Sequence, residues 1–309
     1  MNKIAFFSTS SRPIKSLEEL AKNFEICLIV TKSDRIIGRN KEKTPNEVKK
    51  FAIQHNIPLF EINKMDLDTK TRLEQTLTEI KPDMALTFDF GYIVPKNLFE
   101  IPKHKFINIH FSILPKYRGA SAVQFAILND EKEYGITYHL IDATLDTGDI
   151  LYQSKFELNE NHNSEEAYNF LFDKTKDEIN KILNEYLAGK LILSPQDHTK
   201  AVYTYSKTNP KRTFIFKEDA IINKITSERA LFREIKAYNP WPKPEIKTSL
   251  LLSLNQFKNY DLKDKDVDPV LKINDSNFIN NQIEITNVTI INGKSLDIKD
   301  FISGYLRKK

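Results

Sequence analysis

Glycine is scarce, with 8 in 309 residues, and no Gly-x-Gly-x-x-Gly follows the first apolar run. A pyrophosphate needs such close backbone approach at that point, so a nicotinamide or flavin site is not expected. Cysteine is limited to Cys27, inside the run ICLIV. No intrachain disulfide framework can form, and the thiol reads as a buried strand residue. Gly293, Lys294 and Ser295 look like the end of a phosphate loop. The upstream glycine would fall on Val288, however, so the string reads as a turn between two late strands. His55, His104, His110, His139, His162 and His198 have no paired spacing with cysteines or carboxylates that would build a closed metal site, so no metal is expected. No run approaches membrane-spanning length, and the opening MNKIAFFSTS is too short in its apolar stretch for a signal peptide. The expectation is a cytoplasmic chain with no membrane partner. Lys and Arg number 46 against 42 Asp and Glu, a net charge of +4, so a polyanion would have to be met by local clusters.

What is present is globular: 40% hydrophobic and 28% charged residues in a chain long enough for two domains. Residues 1 to about 188 alternate short β-branched or aromatic runs with segments of helical period, as βαβ units do. Strands are predicted at Ile4–Phe7, Ile26–Val30, Pro58–Glu61, Met84–Phe88, Phe106–His110, Gly135–Ile141 and Leu151–Leu158. Thr44, Pro45 and Glu47 have the pattern of a capped helix start. Ala167 through Leu187 keeps apolar residues on one helical face. The reading is a Rossmann-like α/β domain with a mostly parallel sheet over 1–188 and a linker of mostly positive charge over 189–208. A smaller β-rich, OB-like barrel follows over 209–309. In that second part a helical pattern runs from about Asn209 to Asn239, followed by strands near Leu250–Leu254, Val270–Ile273 and Ile283–Ile291. Trp241, between two prolines, reads as a packing anchor.

The segment FINIHFSILPKYRGAS carries the chemistry. Asn108, His110 and Ser112 alternate along a strand and project from one face, while Ile107, Ile109 and Phe111 point to the other. Leu114 and Pro115 end the strand, so the polar row lies at the carboxyl end of a parallel strand, where open α/β sheets place ligands. A single Asn-x-His pair is also what ordinary strand-end hydrogen bonding leaves behind. The later loop DATLDTGD supplies Asp142, Asp146 and Asp149, any of which could reach the histidine or cap a turn. A carboxylate there would fix the imidazole tautomer and raise its pKa above about 6.5.

NIHFSILPKYRGA, GIT and DATLDTGD together resemble the formyltransferases that use 10-formyltetrahydrofolate. The resemblance implies that Asn108, His110 and Asp146 surround the formyl carbon. It also implies that the folate is gripped by Phe88, Phe90, Gly91, Tyr92, Ile93, Val94 and Pro95, with Ser112, Leu114, Pro115 and Asp142. The flanks VTKSDRIIGRNKEKTPNEVKKFAIQHNIPLFE, KAYNPWP and GKSLDIKDFISGYL resemble the methionyl-tRNA formyltransferase family. The implied acceptor is therefore the amino group of initiator methionyl-tRNA. Ser8 and Thr144 stand where the family usually has glycine, and Ser121, Ala122 and Val123 lack its usual proline.

Lys32, Arg35, Arg39, Lys41 and Lys43 precede the Thr44 cap, and Lys200, Lys207, Lys211 and Arg212 continue the basic character through the linker. The first cluster suits phosphates of a tRNA acceptor stem and the second continues a basic track to the second domain, with a solvated face as the alternative reading of each. The catalytic motif alone is shared with sugar-nucleotide formyltransferases, so an amino-sugar nucleotide is the alternative acceptor. A catalytically idle RNA-binding relative would have no need of all three of Asn108, His110 and Asp146. A monomer is the default expectation.

Overall fold

In the computed structural model the apolar runs of the N-terminal half become strands of one sheet. Residues 1–37, 42–209 and 213–309 are described, with 35–37 and 42–43 described by their backbone alone. The chain runs β1 (Lys3–Phe7), α1 (Ile14–Leu20), β2 (Glu25–Lys32), β3 (Arg35–Ile37), β4 (Glu42–Thr44), α2 (Glu47–Gln54), β5 (Leu59–Ile62) and α3 (Leu67–Ile80). It continues with β6 (Met84–Phe88), α4 (Lys96–Phe99), β7 (Phe106–His110), α5 (Ala122–Leu128), β8 (Glu133–Leu140), β9 (Ile150–Glu157) and α6 (Ser164–Leu187). By their contacts the described residues fall into two compact units. The first comprises 1–118, 135–155 and 169–202, and the second 119–134, 156–168 and 203–309. The expected linker thus contributes 189–202 to the first unit and 203–208 to the second.

The sheet of the first unit has strand order β5-β2-β1-β6-β7-β8-β9. Neighbours from β5 to β7 pair in parallel, and β8 runs antiparallel to β7. Central parallel strands are covered on both faces, which is why β1 and β6 read as unbroken apolar runs and are buried almost throughout. Strand order reverses at the β1–β6 junction, the kind of position beyond which open α/β sheets bind ligands. One core cluster packs Phe7, Leu28, Val30, Leu73, Leu77, Leu98 and Phe106. Cys27 is buried in β2, and burial pushes its thiol up to about 11, so it is inert packing. The cap of α2 differs from expectation. Asn46, not Thr44, accepts from Lys49 N (2.9 Å), while Thr44 ends β4. The asparagine wins because its amide also donates to Thr31 Oγ1 (2.9 Å), which ties the helix start to β2.

In the second unit α5 packs on α7 (Glu228–Tyr238). A five-stranded sheet has the order β10-β11-β13-β14-β15, from β10 (Ile221–Ile222), β11 (Glu245–Lys247), β13 (Val270–Ile279), β14 (Gln282–Ile290) and β15 (Ser295–Asp297). It is antiparallel from β11 to β15. A separate ribbon pairs β12 (Tyr260–Leu262) with β16 (Leu306–Lys308), and the helices α8 (Thr248–Leu251) and α9 (Ile298–Tyr305) complete the unit. The Gly293–Ser295 string is the expected turn from β14 to β15.

Three local expectations are corrected here. The helix expected from Asn209 begins only at Glu228, where Ser227 accepts from Ala230 N (3.0 Å). Upstream, the Asp219 carboxylate takes the backbone N–H of Phe216 and Thr208 and the hydroxyl of Ser206, a loop cross-link that competes with helix. Leu250–Leu254 is no strand: Leu251, Leu254 and Phe257 are buried at three-residue spacing, the period of a helical turn. Trp241 is 62% exposed, so its ring is not packed into a core. The neighbouring Asn239 does the packing instead, donating to Ile235 O and Ile273 O from a buried position.

Candidate active site

Register assembles the site. Asn108 on β7 lies opposite Thr87 on β6 and opposite His139 on β8, so one polar row crosses three strands. Its amide is used on both sides. Oδ1 accepts from Thr87 Oγ1 (2.8 Å), and Nδ2 donates to His139 Nε2 (3.1 Å) and Asp146 Oδ1 (3.3 Å). His139 Nδ1 lies 2.8 Å from Leu140 O. A carbonyl can only accept, so Nδ1 carries the proton and Nε2 presents its lone pair to Asn108.

His110 follows the same logic with the nitrogens exchanged. Nε2 donates to Tyr117 O (2.9 Å), which leaves Nδ1 facing Asp146 Oδ2 at 3.7 Å. Burial pushes the imidazole below its ordinary 6.5. Asp146 and the Tyr117 carbonyl pull the other way, and His139 adds to the lowering. The expected upward shift is therefore corrected: desolvation outweighs the carboxylate, because Asp146 stands beyond hydrogen-bonding distance. Neutral His110 then offers Nδ1 as a proton acceptor near pH 7, and Asp146 is placed to face the imidazolium that results.

Asp146 occupies the left-handed region (φ 53°) of the β8–β9 loop. Asp142 braces that loop, its Oδ1 accepting from Thr144 N (3.1 Å) and Thr147 Oγ1 (2.5 Å), so of the three aspartates it is a turn cap. Thr144 fits where the family has glycine because its hydroxyl joins that of Thr147. Gly148 has no such latitude, since a Cβ there would lie 1.9 Å from Leu140 O.

A cavity of about 170 Å³ opens beside Asn108, His139 and Asp146, walled by Phe90, Tyr92, Ile93, Val94 and Ile141 and by residues 142–145. Of the residues assigned to folate by resemblance, it gathers Phe90, Tyr92, Ile93, Val94 and Asp142. The others lie elsewhere. Phe88 packs in the core against Phe111 and Phe172, the Gly91 N–H donates to Thr9 Oγ1, and Pro95 caps α4. Ser112 Oγ donates to Lys116 O, Leu114 is buried with its N–H on Thr137 Oγ1, and Pro115 O accepts from Val202 N. Thr87 and His139 are site residues that the sequence reading passed over. The signal for His139 was its alternation with Thr137 along β8, and for Thr87 the one hydroxyl in the apolar run of β6; both are legible only once the pairing with β7 is known.

Among the basic residues, Lys32 Nζ lies 5.5 Å from the centroid of the Tyr92 ring. Arg35 and Lys43 belong to a two-stranded hairpin instead of a plain loop. Lys200 pairs with Asp197 (3.0 Å) and Lys207 with Glu234 (2.8 Å). Arg39, Lys41, Lys211 and Arg212 lie outside the described residues. Among the described residues no cluster of three His, Cys, Asp or Glu side chains is arranged for a metal ion, and no helix is long and apolar enough to cross a membrane.

The fold is an α/β sheet, mostly parallel, with a cavity beside Asn108, His139 and Asp146. The formyl transferase family profile matches residues 2–187, and the chain belongs to that family. It is 33% identical over 313 residues to the methionyl-tRNA formyltransferase of Hydrogenobaculum sp., which covers 99% of this chain and 98% of the relative. Among solved structures, methionyl-tRNA formyltransferase from Clostridium thermocellum superposes with a TM-score of 0.59 at 18% identity, over 94% of this chain and 99% of that one. The N-formyltransferase from Helicobacter canadensis, in complex with folinic acid and dTDP-3-aminofucose, gives 0.61 at 20% identity, over 94% and 95%. At these identities the structural likeness bears on fold alone.

Proposed function

We propose that this chain transfers a formyl group from 10-formyltetrahydrofolate to the α-amino group of methionine on initiator methionyl-tRNA, giving N-formylmethionyl-tRNA. The observation that supports the chemistry is that Asn108 and Asp146 meet at the edge of one apolar-walled cavity, with the buried His110 turning Nδ1 toward Asp146 from behind it. The acceptor rests on full-length kinship with a methionyl-tRNA formyltransferase. The flat pterin of the donor suits a cavity walled by Phe90, Tyr92, Ile93, Val94 and Ile141 and also lined by the polar Thr87, Asn108, His139, Asp142 and Asp146.

In the transfer the amine nitrogen bonds to the formyl carbon, and the bond from that carbon to the folate nitrogen breaks. Asn108 Nδ2 releases its longer bond, to Asp146, and donates to the formyl oxygen as negative charge develops there. His110 Nδ1 takes the proton lost by the attacking nitrogen and returns it to the departing folate nitrogen, so no proton is gained or lost overall. Residues 1–188 would carry this chemistry, 189–208 would form a basic connection, and 209–309 would hold the tRNA backbone. Lys32 and the hairpin that follows would meet the acceptor stem. The chain would work in the cytoplasm as a monomer.

The test is transfer of labelled formyl from 10-formyltetrahydrofolate to methionyl initiator tRNA, beside free methionine, an amino-sugar nucleotide and a His110→Ala control. Formylated tRNA that disappears in the control is expected. Product on the sugar nucleotide and none on tRNA would keep the site chemistry and overturn the acceptor.

A further inference from the structure

Asp146 meets its partners at long range: 3.3 Å to Asn108, 3.6 Å to His139 and 3.7 Å to His110. A loop that drifted outward by a fraction of an ångström would lose all three. Asp146 also sits at a positive φ, a less favoured conformation for a residue other than glycine, so bonds to its backbone help to hold it. The holding group comes from beyond α6.

Gln196, 5% exposed, donates from Nε2 to Asp146 O (3.0 Å) and Gly148 O (2.8 Å). Its Oε1 accepts twice from Arg118, from Nε at 3.2 Å and Nη2 at 2.6 Å. Arg118 is 1% exposed, and its Nη2 also reaches His198 Nδ1 (3.1 Å). Every hydrogen-bonding position of the carboxamide is therefore engaged. Flipping it would set N–H groups against a guanidinium and an oxygen against two carbonyls, so its orientation is unique. Backbone bonds secure the same segment on either side: Ser194 pairs reciprocally with Ile150, and Val202 bridges Pro115 and Arg118.

We propose that Gln196, aligned by Arg118, is a positioning residue for the transfer reaction. Its carboxamide holds the backbone of the Asp146 loop, and so keeps the carboxylate facing Asn108 and His110. The role rests on the proposed reaction, but the geometry it predicts can be read without turnover. The titratable groups facing His110 are Asp146 and His139, and the clamp holds the loop that carries Asp146 while His139 stays in β8.

Gln196→Met keeps the volume and removes every bond. Gln196→Glu keeps an acceptor for Arg118 but turns a carboxylate oxygen on the two loop carbonyls. Each would be assayed for formyl transfer and titrated by NMR with ring-labelled histidine, the His110 signal being assigned by its loss in His110→Gln. The expected result is a fall in kcat/KM of about 10- to 100-fold, the scale set by misplacing a reacting group by an ångström. His110 should also titrate at lower pH than in the wild type, because the pull of Asp146 is removed. A folded variant with wild-type kcat/KM and wild-type His110 titration would overturn the proposal. So would lost activity that tracks only the unfolded fraction while the titration stays put. Gln196→Asn, one methylene shorter, decides if either variant fails to fold. A wild type inactive on methionyl-tRNA would sink the acceptor reading, yet the titration would still judge the clamp.

Discussion

Replacing Asn108 by alanine separates catalysis from folding. The side chain accepts from Thr87 and donates to His139 and Asp146, and it lines the cavity. Thr87 Oγ1 keeps an alternative acceptor in Ile107 O at 3.3 Å, and the vacated space adjoins the cavity, where water can satisfy His139. The stability cost should therefore sit near the low end for a lost hydrogen bond, about 1 kcal/mol. Catalysis has no such substitute. Losing the donor to the developing oxyanion costs about 100- to 1000-fold in kcat, or roughly 2.7–4 kcal/mol of barrier. Because that contact strengthens only as charge develops, KM should stay within a few-fold. Steady-state formylation with methionyl-tRNA, beside urea unfolding of both proteins, measures all three quantities. A kcat within tenfold of wild type, or an effect confined to KM, would refute the role given to Asn108.

The acid limb of kcat/KM should fall below 6.5, the ordinary histidine value, because burial holds His110 neutral; a limb at or above that value would restore the expected upward shift. Stability carries the same sign. As pH drops below about 6.5 the unfolded chain binds a proton before native His110 does, so this contribution is complete above that pH. It is lost as pH falls toward the native value, and urea unfolding of His110→Gln at pH 7 and pH 5.5 should show a shallower dependence than wild type. Gly148→Ala places a methyl 1.9 Å from Leu140 O, so it should cost about 1–3 kcal/mol by overpacking. Its kcat should fall further than its thermal unfolding explains, since Gly148 O is one of the two carbonyls held by Gln196; a variant of wild-type activity would mean that the loop tolerates displacement. Ser227→Ala removes the N-cap of α7 and should destabilise by about 1 kcal/mol in urea, with kcat unchanged.

How much of the fold was legible follows from which signals are local. Met84–Phe88 and Phe106–His110 were bounded to the residue because central parallel strands are buried on both faces and read as short, mostly apolar β-branched or aromatic runs. Boundaries failed where a side chain bonded to distant backbone. Asp219 gathers groups from Ser206 to Phe216 and excludes a helix whose period the sequence carries, and Asn46 takes the cap of α2 through its bond to Thr31. Trp241 was misjudged because size and apolarity suggest burial, whereas the buried member of the motif is Asn239, which satisfies two carbonyls.

The candidate site divides along the same line. Asn108 and His110 are adjacent on one strand face, so alternation alone exposes them. Asp146 came from resemblance, because nothing local sets it apart from Asp142, whose turn-capping bonds are equally hidden in the sequence. His139 depends on register: one residue of slip in β8 would point Tyr138 at Asn108 and bury the imidazole on the other face. Gln196 depends on tertiary closure, since 48 residues separate it from Gly148 and 78 from Arg118. Asn108 and His110 thus carry a signal within a few positions of themselves, whereas Asp146, His139 and Gln196 do not. Positioning residues in such a site are found by asking what holds each strained or long-range contact, which led from the φ of Asp146 to Gln196.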